Sequence, residues 1–257
     1  MILLPQNVTH LWMLDLRTVP DARLNDYQKL LSDEELARLE HYRAPDLRRT
    51  QLITRAAVRF CLSQYSESVP PAKWDIEIPA SGKPQLRQPA PLPLSFNLSH
   101  SGDWVVIAMT VETALGVDIQ QQKAHHSLMD LARRYFHADE AAALGRREGK
   151  DQQELFFRLW TLKEAYLKAR GGGIATGLDK VQFQIDNNGL ITAHIDARLK
   201  DKGEDWQFHH YHLGADYCLS LALKQPRVQS ASPKFYKVIP QELVEPLDLE
   251  AHQIRLH

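Results

Sequence analysis

Two acidic residues stand in segments that would fix the direction of their side chains. Asp118 lies in the strand-like run Gly116 to Ile119, so its side chain would share a face with that of residue 120. Glu164 lies in the helical run Trp160 to Lys168 and would share a stripe with Lys168, four residues further on. Two carboxylates from separate elements, with a lysine beside one, suit a divalent cation that grips a phosphate. The sequence therefore predicts a cation site that needs a phosphorylated ligand.

Two upstream segments could supply the phosphate contacts. Ser81 to Leu86 contains Lys83 directly after a glycine, and Phe96 to Gly102 contains Ser99 and His100. Taken singly, each segment has an ordinary structural explanation: a turn with a solvated lysine, and a strand end whose side chains bond to nearby backbone. The Glu164/Lys168 spacing alone is likewise typical of a stabilising pair on a solvated helix face. It is the set of four, in this order, that indicates a shared site.

The four segments resemble, in order, the signature motifs of 4'-phosphopantetheinyl transferases of the surfactin-synthetase-activating (Sfp-like) type. The resemblance runs from about Arg43 to Gly173, and the spacing of Asp118, Glu164 and Lys168 is its most specific part. It implies transfer of the phosphopantetheine arm of coenzyme A to a serine of an apo acyl or peptidyl carrier protein, with release of adenosine 3',5'-bisphosphate.

The resemblance also implies roles for residues around a bound Mg²⁺. Asp118 and Glu164 would be the metal ligands, with the pyrophosphate and water completing the shell. Gln120 stands where the bacterial prototype is acidic; it could offer a neutral oxygen or hold a water, so the third ligand stays open. Lys168 and His100 would neutralise charge in the phosphoryl transfer, and Glu164 is the candidate general base for the carrier serine.

Coenzyme A brings a pyrophosphate and a 3'-phosphate, so its site needs cations and directed donors. By resemblance, Lys83 lies at the adenine nucleotide, and Ser99 and His100 contact the phosphates. Adjacent strand residues point to opposite faces, which excludes a Ser99–His100 hydrolase dyad. Lys163 projects about 100° around the helix from Glu164 and would serve another phosphate or the carrier.

A cluster of arginines precedes these motifs. The candidates for the 3'-phosphate are Arg48, Arg49 and Arg55, and the spacing of Arg48 and Arg55 lets them share a helix face. The alternative, for any one of them, is a solvated basic face.

Composition restricts the class of protein. The 257 residues carry 31 Lys+Arg against 32 Asp+Glu, a net charge of -1, which is unlike the basic domains that bind nucleic acid. The two cysteines make neither a disulfide framework nor a cysteine zinc site. Neither a signal peptide nor a membrane span is apparent, so we expect a cytoplasmic location. We also expect the protein to be a monomer.

The periodicity predicts an α/β (α+β) fold of two similar halves related by a pseudo-twofold, each with helices packed on a small antiparallel sheet. The predicted helices include 46–63 and 151–170, and the predicted strands include 8–16, 94–98, 104–110, 115–119, 206–212 and 217–223. We assign residues 1–112 to an N-terminal half with the coenzyme A nucleotide motifs and 113–225 to a C-terminal half with the metal and catalytic motifs. Residues 226–257 carry prolines and many charges and are expected to form a peripheral tail.

Three other interpretations stay open. A non-catalytic carrier-binding module on the same fold is favoured only by Gln120. A coenzyme-A-dependent acyltransferase would need no carboxylate pair for a metal. His210 and His212 on one strand face could be zinc ligands, although no third ligand is evident. The sequence does not distinguish acyl from peptidyl carriers; the selectivity would lie in loops near 124–134 and Arg147.

Overall fold

The computed structural model describes residues 2–79, 82–87, 92–123, 127–172, 177–186, 188–225, 231–238 and 245–246. Ser81, Gly173, the segment 124–126 and most of the tail lie outside these residues. The described α-helices are α1 (Leu24–Gln28), α2 (Asp33–Glu40), α3 (Pro45–Ser63), α4 (Leu128–Tyr135), α5 (Ala138–Gly145) and α6 (Gly149–Arg170). The described strands are β1 (His10–Asp15), β2 (Ile76–Glu77), β3 (Gln85–Leu86), β4 (Leu94–Ser101), β5 (Trp104–Val111), β6 (Leu115–Gln121), β7 (Val181–Ile185), β8 (Ile191–Ile195), β9 (Gln207–Leu213), β10 (Tyr217–Leu223), β11 (Lys234–Lys237) and β12 (Glu245–Pro246).

One order of elements occurs twice along the chain. A strand, two short helices, a long helix, a two-stranded hairpin and a second antiparallel pair run from β1 to β5, and the same series runs from β6 to β10. The sheets repeat it as well, because β1-β5-β4 and β6-β10-β9 have equivalent strand orders. The prediction of an α+β protein with two similar halves is confirmed. The assigned boundary at 112/113 falls between β5 and β6.

In the first half, α3 packs on the sheet through one face. Pro45 begins the helix, where a missing N–H costs nothing, and Ile53, Ala57 and Leu62 are fully buried. They share a core with Trp12 and other alternate residues of β1 and β5. The opposite face of those strands packs against β6 and β10, and this contact forms a separate core between the two sheets.

In the second half, α6 approaches β6 very closely at Gly116. A Cβ at this position would lie 2.0 Å from the carbonyl oxygen of Ala165 and 2.4 Å from the amide nitrogen of Ala169. Only glycine fits this approach, which places the middle of α6 directly over the strand that carries Asp118. Gly171, with a φ of 78°, ends the helix, and its N–H donates to the carbonyl of Leu167.

The halves are joined along β4 and β6 by side chains in place of a backbone ladder. The backbone N–H groups of three alternate β6 residues donate to polar side chains of three alternate β4 residues. The pairs are Val117 to Asn97 Oδ1 at 2.9 Å, Ile119 to Ser99 Oγ at 3.3 Å and Gln121 to Ser101 Oγ at 3.0 Å. The buried edge of β6 thus has its donors satisfied by the other half of the molecule.

The expectation of a peripheral tail is wrong for residues 234–237. This strand, β11, pairs parallel with β1 and extends the first sheet, and β12 pairs antiparallel with β11. Tyr236 stacks on Trp12 with ring centroids 4.7 Å apart, and Val238 is buried. Contact with a neighbouring strand, more than the polar composition of the segment, determines its structure.

Among the described residues, no helix combines the length and the apolar character that crossing a membrane would require.

Candidate active site

A cavity of about 510 Å³ lies where the two halves meet. Its walls come from α3, the turn between β2 and β3, strand β4 and the C-terminal part of α6. Its charged lining residues are Glu35, Arg55, Arg59, Lys83, Glu164 and Lys168. Apolar side chains of Ile76, Ile78, Phe96 and Leu98 line other parts of the wall. The cavity therefore combines cations suited to phosphates with an apolar surface suited to a planar base.

Of the predicted carboxylate pair, Glu164 lines this cavity and Asp118 contacts the lining residue Lys168; both carboxylates are buried. Asp118 is 2% exposed and Glu164 is 9% exposed. Burial, followed by the charge of Asp118, raises the pKa of Glu164 to about 7, whereas the Lys168 ammonium opposes this shift. The Oε1 atom of Glu164 is buried without a hydrogen-bond partner.

This donor set fits a magnesium ion. Mg²⁺ takes one or two protein carboxylates and keeps several waters, and an orphaned buried carboxylate oxygen is the kind of group that a cation satisfies. In the part of the chain that the structure describes, no three His, Cys, Asp or Glu side chains form a metal-binding cluster. The protein therefore offers two acidic ligands and leaves further positions to neutral oxygens.

Lys168 is the cation beside the pair. Its ammonium donates to Asp118 Oδ1 at 2.7 Å, to Ser99 Oγ at 2.9 Å and to the carbonyl of Val117 at 3.1 Å. All three of its donors are therefore in use. The side chain remains part of the cavity wall, so an entering phosphate would meet this positive charge.

The structure assigns Ser99 a different contact from the one expected. Its hydroxyl donates to Asp118 Oδ1 at 2.9 Å and accepts from the backbone N–H of Ile119 and from Lys168. A hydroxyl has one donor and two acceptor positions, and all are occupied. Ser99 here holds Asp118 and Lys168 in place and has no free position for a phosphate.

His100 points away from Ser99, toward α3, as strand alternation predicts. Its Nε2 lies 3.0 Å from the side-chain nitrogen of Gln51. Burial, then the charge of Lys168, lowers the pKa of His100, and Asp118 opposes them. The two neighbours in sequence thus serve opposite sides of β4, and a Ser99–His100 dyad is absent.

Of the three candidate arginines, only Arg55 lines the cavity. Its Nη1 donates to Gln51 Oε1 at 3.0 Å. Arg49 is bound elsewhere, to Asp21 at 2.9 Å and to the carbonyl of Val19 at 2.6 Å. Arg48 pairs with Glu40 at 3.5 Å and donates to the carbonyl of Tyr42. Arg48 and Arg49 therefore tie α3 to neighbouring segments, and the structure does not place them at the cavity.

Lys83 reaches across the junction between the halves. Its ammonium donates to the carbonyls of Leu115 at 2.9 Å and Ala169 at 3.2 Å, and burial lowers its pKa. It lines the cavity, and it also anchors the β2–β3 turn to β6 and to the end of α6.

The expectation that Lys163 serves a phosphate or the carrier is wrong in this structure. The side chain is 0% exposed. Its ammonium pairs with Glu140 at 2.7 Å and donates to the carbonyls of Leu178 and Val181. Although Lys163 is next to Glu164 in sequence, its side chain points into the core of the second half, where it holds α5 and β7 against α6.

Gln120 shares the face of Asp118, as alternation predicts. Its Nε2 lies 3.4 Å from Asp118 Oδ2, and its Oε1 lies 3.4 Å from the hydroxyl of Ser101. It also borders a second cavity of about 210 Å³, whose other walls are Leu128, Leu131, Phe156, Phe157 and Trp160. Gln120 thus separates the carboxylate pair from an apolar hollow between α4 and α6.

A zinc site at His210 and His212 finds no support. His210 Nδ1 lies 2.9 Å from the hydroxyl of Ser220 inside the second half, and His212 lies 3.6 Å from Glu154. No metal-binding cluster of three groups includes them among the described residues.

Three contributing residues were not predicted from the sequence: Gln51, Asn97 and Ser101. Gln51 joins Arg55 to His100, and its only signal is the four-residue spacing to Arg55. The joining role of Asn97 and Ser101 could have been found from their alternation with Ser99 on one strand face.

Comparison with known proteins places the chain in a family. Residues 20–112 match the family described as 4'-phosphopantetheinyl transferase, N-terminal, and residues 114–222 match the 4'-phosphopantetheinyl transferase superfamily. The 4'-phosphopantetheinyl transferase HetI of Nostoc sp. is 36% identical over 70% of this chain and 78% of its own. The 4'-phosphopantetheinyl transferase psf-1 of Bacillus pumilus is 32% identical over 79% of this chain and 83% of its own.

A solved holo-(acyl-carrier-protein) synthase from Bacillus anthracis, in complex with CoA (3',5'-ADP), covers 44% of this chain and 97% of its own, with 17% identity and a TM-score of 0.37. That likeness is partial, and the assignment rests on the sequence matches. The chain belongs to the 4'-phosphopantetheinyl transferase superfamily.

Proposed function

We propose that this chain transfers the phosphopantetheine arm of coenzyme A to a serine of an apo acyl or peptidyl carrier protein. The observation that carries the proposal is the cluster of Asp118, Glu164 and Lys168 where the halves meet, with Glu164 and Lys168 on the cavity wall. Two carboxylates and a lysine close to one another suit a magnesium-dependent phosphoryl transfer.

The nucleotide part of coenzyme A would occupy the larger cavity. Arg55 and Lys168 supply positive charge at its wall, and the apolar side chains of β2 and β4 supply a surface for the base. Lys83 would act mainly by holding the turn that forms one side of the cavity, because both of its observed bonds go to backbone carbonyls of the other half.

Asp118 and Glu164 would hold the Mg²⁺. When bound, the ion would neutralise charge on the phosphates of coenzyme A. Ser99 contributes by fixing Asp118, since its hydroxyl donates to that carboxylate. Gln120 could add a neutral oxygen or orient a water from its place beside Asp118.

The transfer itself needs one proton acceptor and one leaving group. The carrier serine oxygen forms a bond to the β-phosphorus, and the bond from that phosphorus to the bridging oxygen breaks, releasing adenosine 3',5'-bisphosphate. Glu164 lines the cavity and would accept the serine proton through the carboxylate oxygen that does not hold the ion. Lys168 and His100 would stabilise the charge that develops on the phosphate oxygens.

The carrier would approach from the side of the smaller cavity. Its apolar walls lie next to Gln120 and include Leu128 and Leu131 of α4, the helix that also carries the exposed Arg133 and Arg134. An apolar hollow beside a basic helix suits a partner with an apolar contact and acidic neighbours.

Mass spectrometry of the carrier tests the proposal. The chain is incubated with coenzyme A, Mg²⁺ and an apo acyl or peptidyl carrier, and the carrier is weighed. We expect a gain of one phosphopantetheine that EDTA abolishes and that Asp118→Asn reduces at least 100-fold, whereas the exposed Asp216→Asn leaves it unchanged. A carrier retained without a mass gain would instead indicate a binding module, and an acyl-sized gain an acyltransferase.

A further inference from the structure

Gln51 and Arg55 line the larger cavity, and the amide of Gln51 lies between Arg55 of its own helix and His100 of β4. On α3, its Oε1 accepts from Arg55 Nη1 at 3.0 Å. On the other side, its Nε2 lies 3.0 Å from Nε2 of His100 on β4. Arg55 Nη1 also donates to the backbone carbonyl of Gln51 at 3.2 Å, so the two side chains are held together at two points.

The donors and acceptors of these three groups allow only one arrangement. A guanidinium donates and cannot accept, so the amide oxygen must face Arg55. The amide NH₂ then faces His100, and an NH₂ group needs an acceptor there. His100 Nε2 must therefore carry the lone pair, and the ring proton of the neutral imidazole must be on Nδ1.

The surroundings of His100 favour this neutral form. Burial and the ammonium of Lys168 disfavour a second proton on the ring, although Asp118 acts in the opposite direction. The Arg55 guanidinium at the far end of the amide adds a further positive charge on the α3 side. Nδ1–H is then the one donor that His100 can offer a ligand.

We propose that Gln51 is a positioning residue of this site: its amide orients Arg55 and holds His100 as the Nδ1–H tautomer, which fixes the donors that meet the nucleotide phosphates. The inference rests on the proposed function for the identity of the ligand. The arrangement of the three side chains does not depend on it.

Three variants separate this role from a structural one. Gln51→Met keeps the length of the side chain and removes both bonds. Gln51→Glu keeps the acceptor toward Arg55 but replaces the NH₂ by an oxygen, which requires a proton on His100 Nε2. Gln64→Met, at the end of the same helix, removes only a bond to the carbonyl of Phe60 and is the matched control.

The first measurement is the ¹⁵N spectrum of the His100 ring near pH 8, without metal or carrier. We expect a protonated Nδ1 and an unprotonated Nε2 in the parent chain and in Gln64→Met. Gln51→Met should give a mixture of tautomers, and Gln51→Glu should carry a proton on Nε2. The same Nε2 state in the parent chain and Gln51→Glu would overturn the inference.

The second measurement is calorimetric binding of adenosine 3',5'-bisphosphate, with circular dichroism as a check of folding. Gln51→Met should weaken binding about 10-fold, as expected for losing roughly 1.4 kcal/mol of orientation, and Gln64→Met should not. Unchanged affinity in a folded Gln51→Met would contradict the role. Both readouts omit the carrier, so a chain that passes them yet transfers nothing would refute the proposed function alone.

Discussion

At the scale of single residues, two lysines of α6 differ in role: one belongs to the candidate active site and the other to the core. Lys168 stands at the carboxylate pair, and Lys163 lies in the core with Glu140. The two side chains leave α6 on different faces of the helix. The Lys163 side chain is fully buried in the second half, whereas that of Lys168 is 27% exposed at the cavity. Spacing along the helix could place Lys168 beside Glu164, but it could not predict that Lys163 faces inward, since that depends on how α5 and β7 pack on α6.

Lys163→Met should destabilise the fold by about 3–5 kcal/mol, because it leaves the Glu140 carboxylate buried without its partner. Urea unfolding measures the loss. Lys168→Met, at the partly buried wall of the cavity, should reduce carrier modification at least 100-fold with a smaller loss of stability, because Asp118 keeps the hydroxyl of Ser99 as a donor. Equal losses of stability for the two variants would contradict these assignments.

Ser99→Ala should lower both activity and stability. It removes the donor to Asp118 and leaves the N–H of Ile119 without its acceptor, which costs about 1–3 kcal/mol in the free energy of unfolding. Ser95→Ala, on the same strand, is the control and should change little. If Ser99 contacted only a ligand phosphate, its removal would leave the unfolding free energy as it is.

At the scale of elements, the approach of α6 to β6 assembles the site. Gly116 permits that approach, and the carboxylates of Asp118 and Glu164 then lie close enough for their charges to interact. The long helices were predictable from sequence to within two residues because their apolar periodicity extends over many turns. Strand β11 was not predictable from the sequence. It has only four residues, too few for a clear alternation of polar and apolar side chains, and it lies in a segment rich in prolines and charged residues.

Gly116→Ala should separate the two carboxylates. The added Cβ would overlap the backbone of Ala165, so α6 must move as a unit, and we expect activity to fall at least 10-fold with a loss of about 1–3 kcal/mol in stability. Gly145→Ala is the control, since its Cβ would meet only the side chain of Met129 at 3.6 Å. Normal carrier modification by Gly116→Ala would show that the close approach is dispensable.

At the scale of the whole molecule, the cavity exists because two similar halves dock. The seam of Asn97, Ser99 and Ser101 against β6, together with the bridge from Lys83, aligns the nucleotide wall of the first half with the carboxylates of the second. Duplication was visible in the repeated order of elements. The contacts between β4 and β6 were harder to predict from the sequence, because the β4 side chains that make them have their partners in the other half.

The first sheet also makes stability depend on pH. Burial, then the charge of Lys234 on β11, lowers the pKa of His10 from 6.5 to about 4. The unfolded chain therefore binds more protons than the folded one between these values, and stability falls as the pH falls from 6.5 to 4. At about 1.4 kcal/mol for each pH unit, the His10 contribution reaches at most about 3 kcal/mol.

Urea unfolding at pH 7 and pH 4.5 measures this dependence in the parent chain and in His10→Gln. The variant should lose less stability between the two pH values, because its side chain takes up no proton in either state. Identical losses would mean that His10 titrates normally and that β11 does not cover it in solution.

The mass of an apo carrier protein after incubation with the chain, coenzyme A and Mg²⁺ tests the site most directly. We expect a gain of one phosphopantetheine with the parent chain and with Asp216→Asn, and almost none with Glu164→Gln or Lys168→Met. Full modification by the folded Glu164→Gln and Lys168→Met variants, or none by the parent chain across acyl and peptidyl carriers, would contradict the catalytic role of this cluster.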